Sequence, residues 1–319
     1  MTDQVQAVQP AFKDRKTGLK IFGVIQILIG LVCVLMIASL ILLEYVLPAI
    51  KNNPSPVSTQ TTFSSLLLYT LFAVWFFTMG IGSIKARKWA RALTLISSWI
   101  WLLSGIIGIV FMFALMPGTF SRMPSTVTYI MAGIMSFFSV ILPGILVLFY
   151  TGKNVKATCE ARNPDPSWCD KTPLPVLALS LMFLGWCISL PFLGFYGWAI
   201  PFFGAVLNGI PGAVIVTALV MVSGYIAWGV FKLKVQAWRA ALILTLGWTL
   251  SWAITFLRGG AWVYYEKMNI PAAQMEIMKQ QLSSMSSSII ITGVIGSLAF
   301  IIFLLYTKRY FNSGDTTLK

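Results

Sequence analysis

The stretch Gly82-Ser83-Ile84-Lys85-Ala86-Arg87-Lys88-Trp89-Ala90-Arg91-Ala92-Leu93 decides the fold. It joins an apolar run over 63–84 to another over 92–116 through a short basic turn. Each run has the about 20 residues that a helix needs to cross a bilayer, so the turn reads as a loop that sends the chain straight back through the membrane. The pattern is met a second time. Gly229, Lys232 and Lys234 repeat Gly82, Lys85 and Arg87; after a two-residue slip, Trp238, Ala241, Leu242, Leu244 and Trp248 repeat Trp89, Ala92, Leu93, Leu95 and Trp99 at identical spacing.

Working outward from this pair, the chain of 319 residues is 58% hydrophobic and only 10% charged, too little polar surface to coat a soluble globule. Apolar runs at 19–47, 63–84, 92–116, 127–150, 173–200, 209–231, 240–257 and 288–306 predict about eight spans. None alternates like a barrel strand, and lipid requires each backbone amide to be satisfied within its own segment, so the fold class is all-α. The first run follows a polar stretch and shows no small-residue cleavage site, which identifies it as a retained span and not a signal peptide.

Eighteen of the 23 Lys and Arg fall on alternate connections that include both termini, which places both termini in the cytoplasm. The same bias accounts for most of the +14 net charge. The charge is spread over short loops with no basic helix or stacking aromatics, so nucleic acid is excluded as a partner.

Repetition of an even number of spans returns the chain to the side where it began. The expected architecture is therefore a polytopic transmembrane bundle of two parallel four-helix repeats. Its expected parts are a cytoplasmic tail 1–18, a first repeat 19–150, a cytoplasmic linker 151–172, a second repeat 173–307 and a cytoplasmic tail 308–319. The linker holds Asn163-Pro164-Asp165-Pro166, which cannot be helical.

Within the spans, Gly80 with Gly82, Gly105 with Gly108, and Gly293 with Gly296 are candidate points of close helix approach. Pro143 and Pro191 each remove a backbone donor and predict kinks. Trp89, Trp99, Trp101, Trp238, Trp248, Trp252 and Trp262 read as an interfacial aromatic belt. The last outer connection, 258–287, holds Met275, Met278, Leu282 and Met285 at helical spacing. That pattern predicts an amphipathic helix lying on the membrane surface or capping the bundle.

The chemistry available is narrow. The chain contains no histidine, which excludes Ser-His nucleophiles, HExxH metal sites and haem ligation by His. No Asp, Glu, Lys or Arg lies in the centre of a predicted span, which argues against proton relays and charge-coupled carriers. Cys159 and Cys169 are ten residues apart on the reducing side, neither a disulfide framework nor a zinc spacing. No catalytic, cofactor-binding or metal residue is assigned, and no cofactor is expected. The remaining candidates are Gln26, a buried polar contact between helices, and the basic turns. Lys85, Arg87, Lys88, Arg91, Lys232, Lys234 and Arg239 either set topology or grip anionic lipid.

The segment Gly18-Leu19-Lys20-Ile21-Phe22-Gly23-Val24-Ile25-Gln26-Ile27-Leu28-Ile29-Gly30-Leu31 resembles the first helix of the membrane-spanning four-domains tetraspan family, which carries Gly-x-x-Gln-Ile-x-x-Gly-Leu. The resemblance covers one span in about eight. The rest of the chain lacks that family's outer-loop cysteines, and duplication is foreign to the family, so its partner-binding role is not carried over. The turn Gly82–Arg91 also resembles those of duplicated four-span bacterial membrane proteins of unknown function, with Gly-x-x-Lys/Arg-x-Lys/Arg-x-Trp-Ala-Arg.

The function expected from these features is non-enzymatic: a scaffold, accessory subunit or sensor in the plasma or inner membrane. Its partners would be the lipid bilayer and another membrane protein or a second copy of the chain. The alternative is a transporter of a small uncharged solute or lipid. Its pathway would be lined by Gln26, Ser104, Thr128, Ser136, Ser139, Ser180 or Thr217.

Overall fold

The computed structural model describes residues 12–46, 59–115, 125–268 and 272–311. Among them, eight helical segments are long and apolar enough to cross a membrane: Lys16–Val46, Thr62–Ile84, Lys88–Val110, Thr126–Thr151, Leu174–Tyr196, Gly209–Phe231, Val235–Gly259 and Ile290–Tyr310. They coincide with the expected spans to within a few residues at most ends. Between 11% and 33% of each segment's most apolar stretch is buried, so most of the apolar side chains are left to face lipid and the protein is a multi-pass membrane protein. Most of the outer connection 48–62, and the tails before residue 12 and after 311, lie outside the described residues.

In chain order the helices are α1 (Lys16–Ile41, continued as a π turn Leu42–Val46), α2 (Thr59–Ile84), α3 (Lys88–Leu115) and α4 (Ser125–Ser136). A π turn, Phe137–Ile141, leads from α4 into α5 (Leu142–Thr151), and α6 spans Lys153–Arg162. The second half holds α7 (Leu174–Ser189), a 3-10 turn (Leu190–Tyr196), strands β1 (Ile200–Phe202) and β2 (Ala205–Leu207), then α8 (Gly209–Phe231), α9 (Val235–Glu266) and α10 (Ala272–Thr307). Both prolines stand where the regular α-helix is interrupted. Pro143 follows directly on the widened π turn, and Pro191 converts α7 to a 3-10 helix, because neither ring can donate to the helical ladder.

Three expectations are corrected. Span five ends at Tyr196 and not at residue 200, and an antiparallel hairpin follows it, with Phe202 paired to Ala205 across the turn. Phe203 and Gly204 take φ of 44° and 100° there, and their amides donate to Ser251 Oγ and Thr255 Oγ1, both at 2.9 Å, one helical turn apart on α9. The helical run expected in the last outer connection is not a separate helix: residues 258–266 continue α9, and from Ala272 the chain is already α10, a single helix of 36 residues and about 54 Å. The tryptophans are not all a belt, for Trp238 is buried in a core while Trp101 and Trp248 line cavities.

Two compact units are present. The first comprises 1–41, Leu67–Gly105 and Ser136–Asp170. Its core gathers Leu19, Ala86, Leu95, Leu146, Tyr150, Val155 and Cys159. The expected linker belongs to this unit: α6 is clamped by the Arg15 amide donating to Thr158 Oγ1 (3.0 Å) and by Arg87 Nη1 donating to Asn163 Oδ1 (2.9 Å). The second unit comprises 42–66, 106–135 and Lys171–Lys319, with a core of Val176, Leu179, Phe183, Ile226, Val230, Trp238 and Leu304 among others.

The basic turn has the same geometry in each unit. The amides of Lys85, Ala86 and Arg87 donate to Ile81, Ser83 and Gly82 at 3.1, 2.9 and 2.9 Å; those of Lys232, Leu233 and Lys234 donate to Trp228, Val230 and Gly229 at the same three distances. Ala86 and Leu233, at φ 51° and 57°, occupy the left-handed position that ends a helix in this way. Ala90 presses on Gly82, and Ala237 on Gly229, each eight residues on, so the register continues through the turn without the two-residue slip.

Trp238 then fills the place where α9 meets the end of α10, donating Nε1–H to the Leu304 carbonyl at 3.0 Å. Trp238→Phe keeps the packing and loses this bond, and is expected to lower unfolding stability by about 1 kcal/mol, read as a shift of the detergent-denaturation midpoint.

Candidate functional site

Gln26 lies ten residues into α1, about 15 Å from its charged start. It is 3% exposed, is satisfied directly from two other helices and is linked through one of them to a third. Its Nε2 donates to Thr94 Oγ1 on α3 at 3.3 Å, and its Oε1 accepts from Ser83 Oγ on α2 at 3.3 Å. Ser83 Oγ meets Tyr150 Oη on α5 at 2.8 Å. Since the serine hydrogen goes to Gln26, Tyr150 is the donor of that last bond, and the four neutral groups form one directed chain. Such a chain fixes the four helices against one another in a medium that offers no competing water.

Beside this chain the first unit holds a cavity of about 510 Å³, lined by Phe72, Trp75, Phe76, Met79, Ile100, Trp101 and Leu146, with Gln26, Thr94, Ser97 and Ser98 as its polar wall. Its size falls in the range of small-molecule sites, and nothing charged lines it. Of the residues expected along a solute pathway, Gln26 alone lines this cavity. Ser180 donates to the Ala227 carbonyl at 2.8 Å, and Thr217 back-bonds to Ala213 on its own helix. Thr94, Ser97 and Ser98 escaped the sequence reading, although their i, i+3, i+4 spacing on α3 is a polar stripe that marks one helix face. In the second unit a smaller cavity, about 210 Å³, is lined by Trp186, Ser189, Leu190, Leu219, Ser223, Leu244 and Trp248, and the buried Ser223 Oγ there has no hydrogen-bond partner among the described residues.

The seven basic candidates divide. Lys88 is engaged by the linker, with Asp170 at 3.3 Å and the carbonyls of Pro164 and Asp165 at 3.3 and 3.1 Å. Arg91 turns inward and its Nε is buried without a hydrogen-bond partner among the described residues. Lys232 lies 5.8 Å from the Phe231 ring centroid and Lys234 4.0 Å from that of Trp228, while Arg239 is exposed. Lys85 and Arg87 line a polar cavity of about 370 Å³ with Lys16, Ile84, Ala86 and Arg162. Asp14 stands beside Arg162, whose hydrogen bond holds its carboxyl below the usual carboxylate range. Burial pushes the Cys159 thiol up to about 11 and raises that of Cys169, so both remain protonated and poorly nucleophilic at neutral pH.

No family model, curated protein or solved structure matches the chain.

Proposed function

We propose that this chain is a non-catalytic multi-pass protein of the plasma or inner membrane, acting by contact as a scaffold, accessory subunit or sensor for another membrane protein or a second copy of itself. The observation that carries this reading is the closed chain Tyr150–Ser83–Gln26–Thr94, which spends the polar groups at the heart of the first unit on one another. A working site in lipid needs polar groups held in reserve for a substrate or proton. The reading includes both termini in the cytoplasm and two parallel four-helix repeats. The repeats draw support from the matching hydrogen bonds and left-handed residues of the two basic turns.

The second reading, a transporter of a small uncharged solute or lipid, is favoured by the 510 Å³ cavity and its hydroxyl-bearing wall. Water separates the two. With Cys33, Cys159, Cys169 and Cys187 replaced by serine or alanine, single cysteines at Phe72, Met79 and Ser98 are probed in membranes with a small water-soluble thiol reagent. Labelling no faster than at a lipid-facing control is expected. Labelling of Ser98→Cys and Met79→Cys at the rate of an exposed loop would overturn the scaffold reading in favour of a hydrated pathway.

A further inference from the structure

Four cations from three separate stretches of chain converge on one opening. Lys16 begins α1, Lys85 and Arg87 stand on the α2–α3 turn, and Arg162 ends α6; together they line the 370 Å³ cavity. Like charges at close quarters repel, so the arrangement is unfavourable unless an anion lies among them. The carboxylate close by, Asp14, is taken by Arg162. Lys85 has no ion-pair partner among the described residues, and Arg87 spends one nitrogen on the neutral Asn163 amide.

Membrane topology alone asks only that cations lie on this side, not that they meet. The second unit provides the internal contrast. Its turn has the same hydrogen bonds and the same left-handed residue, yet Lys232 and Lys234 lie against the faces of Phe231 and Trp228. The same backbone therefore presents uncovered charge in one unit and aromatic-paired charge in the other.

We propose that the cavity lined by Lys16, Lys85, Arg87 and Arg162 binds a phosphate group, monoester or diester. The two guanidinium forks offer paired donors to phosphate oxygens and the two ammonium groups act as mobile point charges. The cavity is large enough for a small headgroup, and Lys16, Ile84, Lys85 and Arg87 in its lining stand at the ends of apolar spans, where charged side chains reach headgroups. A phospholipid headgroup and a soluble phosphate meet the same donors. The site stands independently of the scaffold reading.

The test uses full-length protein purified from vesicles of phosphatidylcholine and phosphatidylglycerol, with retained lipid measured by mass spectrometry and inorganic phosphate titrated against the unfolding temperature of delipidated protein. Retention enriched in phosphatidylglycerol identifies a lipid headgroup; a phosphate-dependent rise without enrichment identifies a soluble source. In either case the double variant Lys85→Gln with Arg87→Gln is expected to weaken the response about 30-fold, about fivefold for each cation lost. Lys232→Gln with Lys234→Gln is expected to leave it within about twofold, the spread allowed for cations outside the site. Lys85→Arg with Arg87→Lys, which keeps the charge, is expected to retain the response and separates binding from folding. An unchanged response in the first double variant, an equal fall in both, or no response of the unmodified protein to either probe overturns the proposal.

Discussion

Gly80→Ala is expected to separate α1 from α2 and to lower unfolding stability by about 2–3 kcal/mol, the upper part of the range for overpacking a tight contact. The crossing is reciprocal. A Cβ on Gly80 would stand 2.7 Å from the Gly23 carbonyl oxygen, and one on Gly23 would stand 2.7 Å from the Gly80 carbonyl oxygen. Backbone oxygens cannot rotate away as a side chain can, so relief requires a shift of the whole helix. Gly23→Ala should therefore match Gly80→Ala, and the double variant should fall short of the sum, because the first methyl has already opened the gap that the second needs. Denaturation of reconstituted protein by a graded detergent mixture, followed by tryptophan fluorescence, reads all three; stability unchanged within 0.5 kcal/mol, the scatter of surface substitutions, would sink the close-crossing account.

Gln26→Glu should show the second large effect, and in a pH-dependent form. At low pH a protonated glutamate can still receive the Ser83 hydrogen and donate toward Thr94, so the chain of bonds survives. Once ionised, the carboxylate is a buried charge with no cation beside it, so stability is intact while the glutamate is protonated at low pH and falls as pH rises and it ionises. The loss is about 3–5 kcal/mol, the cost of an uncompensated buried charge. Gln26→Leu, which has no charge, should lose about 1–2 kcal/mol at every pH. The contrast between a sloping and a flat profile distinguishes a buried, internally satisfied Gln26 from one in contact with water, for which both profiles would be flat.

Much of the architecture was legible because its signals are one-dimensional. Eight apolar runs, two prolines and a basic turn need no knowledge of partners. The features that were missed depend on what lies across from a residue. Gly105 and Gly293 meet Ser139 and Trp252, whereas Gly108 and Gly296, one turn away in the same helices, face open space, and spacing alone cannot separate them. Trp89 and Trp238 match in flanking sequence but not in place: the first leans on Gly82, the second is buried against the last turn of α10. In sequence, span five reads through to Ile200, the first residue of the hairpin, and 201–208 reads as a plain connection because nothing local marks the two strands. What makes it a hairpin are the hydroxyls of Ser251 and Thr255, 48 and 51 residues further along the chain from the amides they accept. Gln26 was found since a lone amide in an apolar run is conspicuous, while hydroxyls on α3 were lost among the ordinary serines and threonines of membrane helices.

The length of α9 and α10 has a mechanical consequence. At 32 and 36 residues they measure about 48 and 54 Å, against a hydrocarbon layer of about 30 Å. The upper turns of α9 carry Arg258 and Glu266, which resist entry into lipid, and the lower ends of the pair are flanked by Lys232 with Lys234 and Lys308 with Arg309. Both ends are thus stops, and the pair cannot slide vertically. In a thicker or thinner bilayer these two helices must tilt or deform the surrounding lipid, which makes them a fixed ruler against which membrane thickness is converted into an angle.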